Sequence, residues 1–174
     1  KISPNSFYQT NSVQSERLYS IIRNWLGEDV ENILDLYSGT GSIALYLASF
    51  AKKITGVELV QEATIDAVYN AKKNTVHNCN FLSAPVEDFL KELDSFNYDL
   101  VILDPPRPGI HPKVLRRLGD IRPPRILYVS CNIKTLVEDL ENIVGFGYQI
   151  GRMRPVDMFP HTPHCEIVCE LKAP

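Results

Sequence analysis

The hydrophobic positions of the chain alternate between two spacings. Short apolar and β-branched runs, typical of strands in a buried sheet, are followed by stretches in which apolar residues recur every three or four positions. This alternation predicts an α/β fold built on a doubly wound sheet. The predicted strands are residues 32–37, 53–58, 80–83, 98–104, 127–131, 147–154 and 165–171.

The predicted helices fall between these strands. Asn11 can cap the first helix, which Gly27 ends, and Leu136, Leu140 and Ile143 mark the last one. Because no helical pattern separates the last two strands, they must pair antiparallel. We therefore predict one domain, residues 1–174, with a mostly parallel seven-stranded sheet and a final antiparallel strand. The other helical stretches are residues 43–48, 62–74 and 86–93.

Composition indicates in which cellular environment the protein is expected to work. No apolar run approaches the length of a membrane span, and no signal-peptide pattern opens the chain. The four cysteines form no CxxC pair, which favours a reducing environment. We expect a cytoplasmic monomer without a membrane partner. Since the first residue is Lys1 rather than methionine, we also expect a fragment of a longer protein.

The charge distribution is uneven along the sequence. The net charge of −3 argues weakly against a nucleic-acid partner. Six basic residues against one acidic residue, Asp120, nevertheless cluster in one segment, either as a patch that binds an anion or as a solvated helix face. The basic residues are Arg107, Lys113, Arg116, Arg117, Arg122 and Arg125.

Cys131 ends the fifth predicted strand and precedes a helix. Ligands of open α/β sheets bind at the carboxyl ends of the strands, so this position favours a nucleophile beside a cofactor site. The competing interpretation is a small buried cysteine, which is a common role for this residue type.

A glycine-rich turn connects the first strand to the second helix. Gly39 and Gly41 allow a ligand to approach the backbone, and Glu58 ends the next strand about 20 residues later, where ribose-binding acids stand in such folds. The third glycine of a dinucleotide fingerprint is missing. The turn therefore predicts a nucleotide-type cofactor other than a nicotinamide.

Two further segments carry chemistry. Asp104 and Arg107 stand in a proline-rich loop, and prolines fix φ and so hold a rigid exit from the sheet. His161, His164 and Cys165 precede the last strand but lack a second half of a zinc-type ligand set, so we expect no metal. Beside them, Glu166 is a candidate base near Cys131.

Together these segments resemble the S-adenosylmethionine-dependent RNA 5-methyluridine methyltransferases, in order and over nearly the whole chain. The resemblance implies a Rossmann-like methyltransferase fold and a catalytic domain without the RNA-binding segments that the family usually carries upstream. The matching segments are FYQTN at 7–11, DLYSGTG at 35–41, GVE at 56–58, DPPRPG at 104–109, SCN at 130–132 and PHTPHCE at 160–166.

The resemblance also implies a mechanism. The Cys131 thiolate, its pKa lowered by positive charge or a helix N-terminus, would add to C6 of a flipped-out uridine in tRNA or rRNA, and Glu166 would remove the C5 proton. Glu58 would accept from the ribose hydroxyls, and the basic segment would meet phosphates. The implied ligands of S-adenosylmethionine are Gln9, Tyr37, Gly39, Gly41, Ser42, Glu58 and Asp104, and those of the substrate are Phe7, Arg107 and Asn132.

Departures from the family pattern and two rival readings stay open. Ser38 and Ile133 stand where the family often has cysteine and proline, and Ala84 offers no polar group to adenine, which leaves its recognition to backbone groups. The rivals are an RNA methyltransferase that modifies an exocyclic nitrogen, which would need no cysteine, and a non-catalytic module that binds the cofactor or RNA.

Overall fold

The computed structural model describes residues 1–3, 11–93, 95–158, 160–162 and 165–174. The described residues form seven strands in one sheet, with helices on both faces. The strands are β1 (Asn32–Leu36), β2 (Lys53–Glu58), β3 (Cys79–Ser83), β4 (Leu100–Leu103), β5 (Arg125–Ser130), β6 (Gln149–Val156) and β7 (Glu166–Lys172). The helices are α1 (Ser12–Trp25), α2 (Ser42–Leu47), α3 (Gln61–Lys73), α4 (Val86–Lys91), α5 (Pro112–Ile121) and α6 (Ile133–Gly145), and a 3₁₀ turn (Ala48–Phe50) follows α2.

The strand order is β3-β2-β1-β4-β5-β7-β6. The first five strands in this order are parallel to one another, and β7 runs antiparallel to both of its neighbours. The predicted doubly wound, mostly parallel sheet with a closing antiparallel strand is confirmed. Chain order switches direction at β1 and β4, which is where ligands of such sheets bind.

The central strands are buried on both faces because each face is covered by helices. In β1, Ile33 packs into one apolar cluster with α1, α2 and α3, while Leu34 and Leu36 pack into a second cluster with α4, α5 and α6. Alternate residues of a strand point to opposite faces, so a continuous apolar run is needed to fill both clusters.

The predicted elements depart from the structure most clearly at β6 and α5. The predicted strand at residues 147–154 lies at Gln149–Val156, because this exposed edge strand lacks a clear pattern and carries an irregularity between Ile150 and Met153. Helix α5 was not delimited by the sequence pattern. The predicted N-cap of α1 is confirmed: the Asn11 side chain accepts a hydrogen bond from the Gln14 N–H at 3.2 Å.

An ion-pair cluster joins α1 to the antiparallel end of the sheet. Glu170 is 1% exposed and accepts hydrogen bonds from Arg125 and Arg152, each at 2.8 Å. Arg125 also donates to the carbonyls of Trp25 and Leu26 at the end of α1. The hydrogen bond from Arg152, supported by that from Arg125, lowers the pKa of Glu170 to about 2.

No helix in the described part of the chain combines the length and the apolar character that crossing a bilayer requires.

Candidate active site

The candidate site lies at the carboxyl edge of the parallel strands. Because β1, β2, β4 and β5 are parallel, their carboxyl ends and the loops that follow meet at one edge. Three of these loops carry six of the predicted site residues. They are the glycine turn (residues 38–41), the proline loop (residues 104–109) and the cysteine turn (residues 130–132).

The glycine turn has a backbone that side chains would disturb. Gly39 and Gly41 have φ of +53° and +78°, in the left-handed region that favours glycine. A Cβ on Gly41 would lie 2.7 Å from the Phe81 ring, whereas a Cβ on Gly39 would meet no described atom within 4 Å. Gly41 is therefore required by packing on β3, and Gly39 leaves open space along the backbone at the edge of the sheet.

Glu58 holds this turn in place. One of its carboxylate oxygens accepts from the Gly39 N–H at 2.9 Å, and the other accepts from the Val60 N–H at 2.8 Å. A carboxylate offers about four acceptor positions, so these bonds leave capacity for two hydroxyl donors. The arrangement is compatible with the predicted ribose contact, which stays a prediction.

Asp35 is a candidate site residue that the residue-by-residue prediction missed. It lies in β1, is 0% exposed, and neither of its oxygens accepts a hydrogen bond from a described residue. Burial is the main cause that raises its pKa to about 7; the N–H of Ala44 offsets part of this rise, and the charge of Glu58 adds to it. The sequence signals are a carboxylate inside the apolar run NILDL and its place as the first residue of the DLYSGTG segment.

The structure brings Cys131 and Glu166 together across two antiparallel strands. Ser130 of β5 pairs with Ile167 of β7, and extending this register by one residue sets Cys131 opposite Glu166. Glu166 is buried, and Cys131 is half-buried. The predicted nucleophile and base are therefore neighbours in the fold.

The expectation that the local field lowers the pKa of Cys131 is wrong. Burial raises the pKa of this thiol, the carboxylates of Glu166 and Asp104 raise it further, and the charge of Arg107 lowers it only in part. Burial also raises the pKa of Asp104 well above its ordinary value, with smaller contributions from Glu166 and Asp35. The edge thus concentrates acidic groups around one thiol.

Asn132 links the cysteine turn to the proline loop. Its Oδ1 caps α6 by accepting from the Lys134 N–H at 3.1 Å, and its Nδ2 donates to the carbonyl of Arg107 at 3.0 Å. The Arg107 side chain is exposed. The structure gives Asn132 a role in joining two loops, while its predicted contact with the substrate stays a prediction.

Two more predicted cofactor residues, Tyr37 and Ser42, lie on either side of the glycine turn. Tyr37 has a left-handed φ of 65°, and its ring packs against the second apolar cluster, where burial raises its pKa to about 12. Its side chain therefore serves the core beneath the glycine turn. Ser42 begins α2, and its hydroxyl lies 3.3 Å from that of Thr40.

Phe7, Gln9 and His164 lie outside the described residues. The residues on either side of the segment that contains Phe7 and Gln9 are tied to the body of the protein: the N–H of Ser3 donates to Asp66 at 2.5 Å, and Asn11 donates to the carbonyl of Met158 at 3.0 Å. Within the described ranges, no group of three or more histidine, cysteine, aspartate or glutamate residues could hold a metal ion.

Two of the six basic residues of the segment make hydrogen bonds or ion pairs within the protein and so do not belong to a phosphate-binding patch, while the patch formed by the others stays a prediction. Arg125 is bound in the Glu170 cluster, and Arg117 donates to the carbonyl of Leu90 at 2.9 Å, which joins α5 to α4. Arg107, Lys113, Arg116 and Arg122 are exposed. These four residues are the part of the segment that remains available to an anion.

The chain is similar to known proteins in both sequence and fold. A family model described as tRNA (Uracil-5-)-methyltransferase matches residues 1–173. A protein of Clostridium tetani described as an uncharacterised RNA methyltransferase is 49% identical over 173 residues, and one of Caldanaerobacter subterraneus with the same description is 44% identical over 170 residues. These matches cover 99% and 97% of this chain but only 38% and 37% of the relatives.

A solved structure shares both fold and sequence with the chain. It is the tRNA (uracil-54, C5)-methyltransferase of Pyrococcus abyssi in complex with S-adenosyl-L-homocysteine, with a TM-score of 0.86 and 38% identity. The alignment covers 98% of this chain and 41% of that protein. The chain thus spans about two fifths of the length of the relatives it matches.

Proposed function

Because this chain belongs to the tRNA (uracil-5-)-methyltransferase family, we propose that it transfers a methyl group from S-adenosylmethionine to C5 of a uridine in tRNA. The observation that carries the proposal is the register that sets Cys131 opposite Glu166, at the same sheet edge as the glycine turn. A nucleophile, a base and a cofactor site are the parts that this reaction needs.

The residues at the edge fit the proposed cofactor. S-adenosylmethionine supplies an electrophilic methyl group on a positively charged sulfur, and it also carries an ammonium group. Asp35 is a buried carboxylate without a hydrogen-bond donor among the described residues, and burying an unpaired charge is costly, so a cationic ligand suits it. Glu58 has acceptor capacity for ribose hydroxyls, and Gly39 leaves room along the backbone.

The proposed ligand set includes the other residues named from the sequence. Asp104 would complete the acidic surroundings of the cofactor, with Gly41 and Ser42 contributing from the glycine turn. Tyr37 would contribute its backbone, because its side chain packs in the core. Gln9 stays in the proposal on the FYQTN resemblance alone.

Cys131 carries the first bond-forming step. Uracil C5 is a weak nucleophile, and addition of the Cys131 thiolate to C6 moves the C5–C6 electron pair to form an enolate whose C5 attacks the methyl group. Burial, Glu166 and Asp104 hold the resting group as a thiol by raising its pKa. Deprotonation therefore requires that positive charge first compensate these carboxylates, as a bound cationic ligand would do.

Glu166 completes the reaction. After methyl transfer, C5 carries both the methyl group and a proton, and Glu166 accepts this proton. The electron pair of the C5–H bond restores the C5–C6 double bond, and the bond between C6 and the Cys131 sulfur breaks. The thiolate is released and the product is 5-methyluridine.

The RNA contacts follow from the exposed residues. The side chains that we assign to phosphates are Arg107, Lys113, Arg116 and Arg122. Reaching C5 and C6 requires that the base leave its stack, which costs a few kcal/mol, and Phe7 is the residue that we assign to stacking on the extruded base.

The proposal is tested with tRNA that contains 5-fluorouridine. Fluorine cannot leave C5 as a proton, so a reaction through Cys131 should stop as a methylated covalent adduct that intact-mass analysis and peptide mapping detect. Cys165→Ala is the matched control, because Cys165 is also half-buried and lies beside Glu166. We expect the adduct in the wild type and in C165A, and none in C131A.

Two results would contradict the proposal. One is full methylation of uridine C5 by C131A, which would remove the covalent step. The other is methylation at a nitrogen with normal turnover of 5-fluorouridine tRNA. Ribosomal RNA transcripts in the same assay test whether the preference is for tRNA.

A further inference from the structure

One face of α6 is built to hold the proline loop. Thr135 and Asp139 lie three and seven residues after Asn132, the cap of this helix, and this spacing brings all three side chains to the same side. Each of the three contacts the proline loop or the residue that follows it. The helix that begins two residues after Cys131 therefore also contacts the loop that carries Asp104 and Arg107.

Two hydrogen bonds hold the middle of the proline loop. The carbonyl of Arg107 accepts from Asn132 Nδ2 at 3.0 Å and from Thr135 Oγ1 at 3.3 Å. Thr135 also lies within hydrogen-bond distance of the Asn132 carbonyl, at 3.2 Å. The backbone at Arg107 is thus fixed from the first turn of α6.

A third anchor holds the end of the loop through a buried carboxylate. Asp139 is 6% exposed, and its Oδ2 accepts from the Ile110 N–H at 2.9 Å and from the Tyr128 hydroxyl at 2.7 Å. Tyr128 is fully buried in β5, three residues before Cys131. One oxygen atom therefore joins α6, the strand that leads to Cys131 and the end of the proline loop.

Close packing leaves the loop little freedom. Gly109 has a φ of +87°, and a Cβ there would lie 2.8 Å from Asp139 Oδ2 and 3.1 Å from Thr135 Cβ. Three of the six loop residues are prolines, whose φ is fixed by the ring. A displacement at the anchored end would therefore be passed along a stiff loop to Arg107 and Asp104.

We infer that Asp139 and Tyr128 are positioning residues that set the proline loop, with Asp104 and Arg107, at its working distance from Cys131. An apolar side chain at position 139 would also pack α6 on the sheet, whereas a buried carboxylate is costly unless it is well hydrogen-bonded. The Asp139 carboxylate accepts hydrogen bonds from donors on two different elements, and an apolar side chain could not make these bonds. The inference rests on the proposed function of Cys131.

Removal of one hydroxyl tests the inference with an internal control. Y128F deletes the 2.7 Å bond to Asp139, and Y148F deletes a 2.7 Å bond from another buried tyrosine of the same apolar cluster to the Pro123 carbonyl, remote from the proline loop. Both variants keep the ring and lose one buried hydrogen bond. Thermal unfolding should therefore report a loss of stability in both variants, larger in Y128F because its partner is a carboxylate rather than a carbonyl.

Activity should separate the two variants. We expect Y128F to lower the single-turnover rate of adduct formation with 5-fluorouridine tRNA about tenfold at saturating cofactor and RNA, with the cofactor Kd changed less than about twofold. Y148F should keep the wild-type rate. The conservative D139N, which retains an acceptor oxygen for both donors, should stay closer to the wild-type rate than D139L.

The reactivity of Cys131 gives a readout that loss of stability would not move. The pH profile of Cys131 alkylation, followed by peptide mapping, should shift in Y128F and not in Y148F, because Asp104 and Arg107 both influence this thiol. Equal rates and equal profiles in the two variants, with the wild type forming the adduct, would overturn this inference alone. A wild type that forms no adduct, with normal cofactor binding, would overturn the proposed function and this inference with it.

Discussion

Two buried carboxylates of the same sheet have opposite surroundings. Glu170 and Asp35 are 1% and 0% exposed. Glu170 lies between the guanidinium groups of Arg125 and Arg152, which bring its pKa to about 2, whereas Asp35 accepts no hydrogen bond from a described residue and has a pKa of about 7. Equal burial therefore coexists with opposite ionisation behaviour.

The contrast suggests different roles for the two carboxylates: Glu170 contributes to stability, and we assign Asp35 to ligand binding. Buried polar groups are normally hydrogen-bonded, and a buried carboxylate with no donor needs another reason to be kept. Glu170 joins α1 to the antiparallel strands, so its partners are all within the protein. Asp35 stands beside the glycine turn, where a cationic ligand would supply the missing partner.

The largest expected effect is a loss of stability in E170A. Removing one member of a buried ion pair leaves the other uncompensated, and Arg125 would be left among the carbonyls of α1. We expect the free energy of unfolding to fall by about 3 kcal/mol, at the low end for such pairs because Arg152 is partly exposed. Urea denaturation measures this loss, and the cofactor Kd of the folded fraction should stay unchanged.

In contrast to E170A, Asp35→Asn should weaken cofactor binding and raise stability. Amide replacement removes the buried charge, so we expect cofactor affinity to fall about tenfold or more while stability at pH 8 rises by on the order of 2 kcal/mol. Calorimetric titration with S-adenosylmethionine and urea denaturation measure the two quantities. Asp99→Asn is the control, because Asp99 already accepts two backbone N–H bonds near the start of β1 and should not yield a gain in stability.

The pH dependence of stability should distinguish the two carboxylates. The folded pKa of Asp35 is raised from 3.8 to about 7, so its ionisation destabilises the fold progressively across that range, and the advantage of D35N should grow from pH 4 to pH 7 and then level off. The folded pKa of Glu170 is lowered from 4.5 to about 2, so its contribution is full above pH 4.5 and is lost as the pH falls towards 2. A constant difference between D35N and the wild type across pH 4–8 would contradict the raised pKa.

The smallest expected effect is that of R152A. Arg152 donates two hydrogen bonds to Glu170 and lies 4.8 Å from the centre of the Trp25 ring, but Arg125 would remain as a partner of the carboxylate. We expect a loss of about 1 kcal/mol by urea denaturation, smaller than in E170A. A loss equal to that of E170A would show that Arg125 does not compensate.

The sequence predicted the sheet well because its central strands are buried on both faces. Runs such as Leu100–Leu103 have to be apolar throughout, so their pattern is unambiguous. Helix α5 was not delimited, because its three buried residues are interspersed with Lys113, Arg116 and Arg117. The edge strand β6 was misplaced by two residues, because its exposed positions carry little pattern.

The sequence named candidate site residues but did not predict the electrostatics around them. The motifs located Cys131 and Glu166, and the register of β5 and β7 accounts for their meeting. The raised pKa of Cys131 depends on burial and on Asp104, which comes from another strand, so no local pattern could show it. The unpartnered state of Asp35 and the internal pairing of Arg125 are likewise properties of the folded chain.

The most direct test of the account is intact-mass analysis of E166Q after incubation with S-adenosylmethionine and tRNA that contains ordinary uridine. If Cys131 is the nucleophile and Glu166 the base, methyl transfer should proceed and the C5 proton should then remain. We predict a methylated covalent adduct between RNA and protein that maps to Cys131 and is absent from the double variant with C131A. Normal formation of 5-methyluridine by E166Q, with no adduct at any time, would contradict the account.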